Sequence, residues 1–126
     1  MKLIATYIAT LLVFVVVDMV WLGLIAKDFY RSSIGHLMGE GFNIPAAVAF
    51  YLIYTAGILM FAVNPAVASG DVMKAAMLGA AFGFFAYATY DLTNMATLKN
   101  WPLGITLADI AWGSVLTGLA ATAGYT

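Results

Sequence analysis

The chain has no cysteine, which excludes disulfides, thiolate metal sites and cysteine nucleophiles and leaves its redox compartment open. It has one histidine, His36, so neither a bis-histidine haem nor a His-rich zinc site can be assembled within one copy. Charge is scarce as well. Only 9% of the 126 residues are charged, whereas soluble domains carry about 25%, and ionic groups this few cannot cover a globular surface. A formal net charge of -1 supplies no basic footprint, so nucleic acid is not expected as a partner. A DDxxD-type acidic cluster and a glycine-rich phosphate loop are missing too. No metal or cofactor is implied by the residues present.

What the chain has in quantity is apolar length, with 64% hydrophobic residues and a mean hydropathy of +0.99. Four apolar stretches, at residues 3–26, 45–63, 72–98 and 103–123, match the roughly 20 helical residues needed to cross a hydrocarbon core. Lipid offers no partner to an open backbone amide, so these stretches must be helices. The expected fold is therefore all-α: a polytopic membrane protein with four transmembrane helices, forming a single domain over residues 1–126 in contact with membrane lipids. The opening "MK" before an apolar run has the look of a signal peptide. That run continues past Asp18 to Ala26 without an A-x-A site, which predicts a retained span.

Two connections are short. "NPAVASGD" (64–71) carries the breakers Pro65 and Gly70, with Asp71 placed to cap the third helix. "KNWP" (99–102) joins the third and fourth spans. Links of this length make antiparallel neighbours. The longer connection, "KDFYRSSIGHLMGEGFNI" (27–44), mixes aromatic, aliphatic and charged residues with glycines, and predicts a short amphipathic segment at the membrane interface between the first and second spans. His36 sits there, as a solvated loop residue or alternatively a proton relay. Lys27, Arg31 and Lys99 fall at one membrane face and Lys2 and Lys74 at the other; they read as headgroup anchors, and so even a division sets no orientation.

Against this background, aspartates inside the apolar runs stand out. "DMVW" (18–21) lies within the first run and "DIAW" (109–112) within the last. The third span holds Asp91. At 1.5 Å per residue, Asp18, Asp91 and Asp109 lie about 12, 10 and 9 Å inside the same face of the membrane, so carboxyl groups on three spans reach one level. A carboxylate facing lipid costs about 2.5–3.5 kcal/mol on insertion scales. The three are therefore expected to converge inside the bundle. Spacings of three and four place residues on one helix face. That rule groups Phe14, Asp18 and Trp21 on the first span, Gly79, Gly83, Tyr87, Asp91 and Asn94 on the third, and Thr106, Asp109 and Trp112 on the fourth. The Gly79–Gly83 part of the stripe is a GxxxG surface for close helix packing, against the first or fourth span or against a second copy in a homo-oligomer.

Each of these residues has a plainer role beside the functional one. Asp109 can belong to a capping box, "TLAD", with Thr106 as the cap. Asp18 and Asp91 can serve as interhelical hydrogen-bond glue, Asp18 to Asn94, Thr93 or a tryptophan. Tyr87, Tyr90, Trp101 and Trp112 can be aromatics of the interface belt. The two D-x-x-W tetrads suggest an internal repeat, but the spans that carry them run in opposite directions, so simple duplication of a helix pair does not relate them.

"YDLTNMATLKNWP" (90–102), with the aspartate–tryptophan pair of the first span and "ADIAWG" of the last, resembles a family of small bacterial four-helix membrane proteins whose function is unknown. The resemblance covers essentially the whole chain. It implies four helices and a bacterial inner-membrane location, and it brings no activity with it.

Three function classes fit these residues. The first is an intramembrane carboxylate site for a small or lipid-derived ligand, with carboxyl groups that load and release protons or cations in transport. A lipid-modifying enzyme would use one carboxyl as base and another as acid, or hold Mg²⁺ between them. An accessory subunit of a membrane complex would need them only as glue. The residues expected at a ligand- or proton-binding site are Asp18, Trp21, Tyr87, Asp91, Asn94, Asp109 and Trp112. The transport-type reading leads, because the chain lacks the motifs of known lipid-phosphate chemistry.

Overall fold

The computed structural model of the chain describes residues 2–25, 27–34 and 44–126; the expectation for His36 lies outside the described residues. Helix α1 (Lys2–Val20) runs on into a π-helical turn, Trp21–Ile25. A short helix α2 (Lys27–Ile34) follows, at the start of the connection expected to be amphipathic, with Asp28, Phe29 and Ser32 exposed. Helix α3 (Ile44–Ile58), a second π-helical turn (Leu59–Val63) and α4 (Asn64–Ser69) make one continuous rod. The last two helices are α5 (Val72–Thr97) and α6 (Leu103–Tyr125). No strand occurs among the described residues. Four helical stretches, Leu3–Leu24, Ile44–Ser69, Val72–Thr97 and Leu103–Tyr125, are long and apolar enough to cross a membrane. The chain is an all-α, multi-pass membrane protein.

The second span is longer than its sequence suggests. Residues 64–71 read as a link because they carry a proline and a glycine, yet the helix continues to Ser69. The reason lies in the π turn, where the Asn64 N–H already bonds five residues back, to Leu59 O. Pro65 then falls in the first turn of α4, where its missing N–H is not needed. The true link is Gly70 and Asp71. Gly70 takes the left-handed conformation with φ 67° and bonds back to Ala66 and Val67, a conformation that favours glycine. Asp71 caps α5, its carboxyl accepting from the Met73 N–H at 3.0 Å. Between α5 and α6 the turn is made by Asn100, also left-handed at φ 61°, and Pro102 at the N-cap of α6.

The interior is built on small residues. Gly79 lies against Thr117, Gly118 and Ala121, and Gly83 against Gly113 and Thr117. A Cβ added to Gly79 would stand 2.7 Å from that of Ala121, so glycine is what lets α5 and α6 approach, as dispersion-driven packing in lipid requires. A core of Phe14, Ile58, Leu59, Val63 and Leu116 joins α1 and the second span to this pair. Several threonines within the spans return their hydroxyls to their own helix, Thr55 to Tyr51 O and Thr106 to Pro102 O among them, which satisfies those donors without water. Outward faces carry Leu12, Val16, Ile53 and Phe85, all exposed. The arrangement is open in one place. Helix α3 packs on α1 and its backbone stands off from α5, and residues 44–50 are all exposed.

Candidate functional site

Asp18 is at the centre of the polar interior, only 7% exposed. Its carboxyl accepts two bonds on separate oxygens: Oδ2 from the Tyr51 hydroxyl at 2.8 Å and Oδ1 from the Trp112 indole N–H at 3.2 Å. Three spans are tied by this one side chain. The π turn beginning at Trp21 places that ring on Trp112, stacked with centroids 4.4 Å apart and planes 11° from parallel. A π turn of this kind re-aims side chains and recurs at functional positions. The two D-x-x-W tetrads thus meet: the aspartate of one bonds the tryptophan of the other, and the two indoles stack.

Asp109 stands on α6 close to Asp18. It is not part of a capping box. Helix α6 starts at Leu103 with Pro102 as its N-cap, because the fixed φ of proline suits the entry to a helix. Asp109 is therefore inside the helix, and the Thr106 hydroxyl donates to Pro102 O at 3.0 Å rather than to an end amide. Asp91 is fully buried, at 0% exposure. Its carboxyl lies against that of Asp109, and neither oxygen finds a donor among the described residues. Two carboxylates side by side are acceptors only. A proton on either one would make the missing bond.

The register that joins them follows from the glycine stripe. Gly79, Gly83, Tyr87 and Asp91 step along α5 by four residues, and each meets α6 about four residues nearer its start. Gly83 lies on Gly113 and Thr117, and the Tyr87 ring fills the space above Gly113. Close packing at the glycines thus delivers Asp91 to Asp109. Tyr87 comes near Asp18, Asp109, Tyr51 and Tyr54, and its hydroxyl makes no hydrogen bond to another described residue. Asn94 lies further along α5, half-buried beside Tyr90, and does not join the group.

A cavity of about 380 Å³ opens on this site, within the usual range of ligand pockets, about 300–1,000 Å³. Asp18, Asp109 and Tyr87 line its polar part, and Leu22, Phe50 and Ala86 its apolar part. Tyr54 and Tyr90 complete the wall. Among the described residues, no lysine or arginine lines it. No three histidine, cysteine, aspartate or glutamate side chains among the described residues are grouped to hold a metal ion.

Tyr51 and Tyr54 are the members that sequence reasoning passed over. No residue of the second span was expected at the site, since that span has no acid. The available signal was a pair of hydroxyls three residues apart in "AFYLIYT", hence on one face. Tyr54 shares a 2.9 Å hydrogen bond with Thr117, and Tyr51 completes the bonding of Asp18.

The molecule is thus a four-span membrane protein with carboxyl groups from three spans gathered in its interior. Residues 3–126 match the family described as predicted membrane protein (DUF2177), and the chain belongs to that family. No curated protein and no solved structure matches it.

Proposed function

We propose that this protein binds a small or lipid-derived ligand at Asp18, Asp109 and Tyr87, within the membrane, in a transport-type function coupled to protons or cations. The observation that carries the reading is the meeting of carboxyl groups from three spans beside a cavity within the membrane-spanning part of the bundle. Asp18 has two donors and a fixed geometry, Asp109 stands near it and lines the same cavity, and Asp91 lies against Asp109. Buried carboxylates in a membrane are costly unless paired, so a proton, a cation or a cationic group on the ligand is the natural complement. The resemblance in "YDLTN" and its surroundings favours a bacterial cytoplasmic membrane as the setting.

The chain's three tryptophans make the test direct. Trp21 and Trp112 stack beside Asp18, and Trp101 packs with Trp21 on Ile105, so intrinsic fluorescence reports this end of the bundle. In proteoliposomes, titration with acid or with sodium and potassium is expected to give a saturable fluorescence change that Asp18→Asn or Asp109→Asn removes. Identical responses from the parent and both variants would end this reading and favour an accessory subunit held together by its carboxyl groups.

A further inference from the structure

Asp91 is a carboxyl group with its hydrogen bonds unmade. It lies six residues, or about 9 Å, inside the end of α5, at 0% exposure, and neither Oδ1 nor Oδ2 has a partner among the described residues. A bare carboxylate in that place is a charge at hydrocarbon depth with no donor to either oxygen, a state strongly disfavoured in a membrane. Its position is not accidental. Gly79 and Gly83 seat α5 on Gly113, Thr117 and Gly118 of α6, and two turns beyond Gly83 the same face brings Asp91 against Asp109.

Ionised carboxyl groups only accept hydrogen bonds. Two of them in contact repel, whereas a single proton between them makes one a donor and the other its acceptor. The two acids are not equivalent. Asp109 is half-buried and lines the cavity, while Asp91 has no exposed surface at all, so negative charge is better solvated on Asp109 and the proton belongs on Asp91. Asp109 can accept it on one oxygen whatever its other oxygen touches. The other titratable groups described around the pair are Tyr87 and Tyr90 on α5 and, beside Asp109, Asp18 on α1. None of them bonds to Asp91. Asp18 already accepts on both oxygens, from Tyr51 and Trp112, and needs no proton.

We propose that Asp91 and Asp109 form a one-proton site, with Asp91 carrying the proton and donating it to Asp109, and with Asp109 as the proton's way to the cavity. Release moves the proton from an Asp91 oxygen to an Asp109 oxygen and on to water in the cavity, leaving both groups as carboxylates; return reverses the two transfers. This deepens the proton-coupled reading of the site by naming the residue that holds the exchanged proton. The coupling rests on that reading, but the proton site does not.

The test is infrared spectroscopy of the full chain in dodecylmaltoside, a detergent without a C=O group, at neutral pH, read at the C=O stretch of protonated carboxyl groups. The parent is expected to show one such band that moves on ¹³C labelling of its aspartate carboxyls, and that moves on transfer of the folded protein to D₂O. Asp91→Asn should abolish the band, Asp109→Asn should shift it because the acceptor becomes an amide, and Asp18→Asn should keep it. Tryptophan fluorescence checks the fold of each variant, and the parent with its label carries the first result without any variant. Absence of the band in the parent, or its survival in Asp91→Asn, would overturn the site. A band unmoved by Asp109→Asn would overturn the pairing, and one that responds to D₂O only after unfolding would overturn the route through Asp109. The expected bands without any fluorescence change on titration with acid or cations would uphold the proton site and overturn the coupling.

Discussion

Asp18 and Trp112, 94 residues apart, are joined by a hydrogen bond from the indole N–H to Oδ1 at 3.2 Å. The bond ties the first span to the last at membrane depth, and the same indole is clamped by its stack on Trp21. Trp112→Phe keeps a ring and removes the donor. Interhelical hydrogen bonds in membranes are worth about 0.6 kcal/mol on average and about 1.7 at most, so a loss of about 1 kcal/mol is expected from unfolding in mixed detergent. Trp112→Ala removes the stack as well and should cost about 0.5–1.5 kcal/mol more. Equal stability of the two variants would mean that the stack contributes nothing.

Substitutions of Asp18 separate geometry from charge. A tyrosine hydroxyl can donate or accept, whereas an indole N–H can only donate. In Asp18→Asn the amide oxygen can keep Trp112 while the amide nitrogen donates to a turned Tyr51 hydroxyl. Stability should therefore stay within about 1 kcal/mol of the parent. Asp18→Leu leaves both donors without an acceptor, and a loss of about 1–3 kcal/mol is expected. Comparable denaturant midpoints for the two variants would contradict the bonding described.

Asp91 invites the opposite outcome. It is buried at 0% exposure with no donor to either oxygen among the described residues, facing another carboxyl group. Asp91→Asn provides an N–H for Asp109 at almost no change in shape. Stability is expected to hold or to rise by about 0.5–1.5 kcal/mol, the net value of a hydrogen bond. The measurement is again the unfolding midpoint in detergent. A clear loss would show that Asp91 is needed as an acid rather than tolerated as one.

Much of this architecture is readable before any coordinates, because lipid removes most alternatives. Four apolar runs give four spans, and counting at 1.5 Å per residue places three aspartates at one level. The failures have local causes. Asn64–Ser69 reads as a loop because proline is a breaker in an α-helix, and the π turn that makes Pro65 harmless leaves no mark in residue type. Asp109 reads as a cap residue because "TLAD" has the right spacing, but the helix begins three residues before Thr106, at Leu103. Tyr51 went unread because its hydroxyl matters only through Asp18, 33 residues away, and a single sequence does not show which tyrosine faces inward.

The glycine stripe provides the last prediction, because it decides whether the site belongs to one chain. A Cβ at Gly83 would run into the backbone carbonyl of Gly113 and the side chain of Thr117, and backbone cannot move aside as a flexible side chain does. Gly83→Ala should cost about 1–3 kcal/mol as an overpacking change, and Gly83→Leu should force α5 and α6 apart. Gly104→Ala is the control, since nothing lies within 4 Å of a Cβ there, and it should be nearly neutral. Separation of α5 from α6 would also carry Asp91 away from Asp109, so Gly83→Leu should lower the detergent unfolding midpoint and disturb the fluorescence of the Trp21–Trp112 stack together. Were Gly83→Leu to leave both unchanged in the monomer and abolish only cross-linked dimers, the stripe would be a surface between copies, and the contact of Asp91 with Asp109 would have to form across that interface.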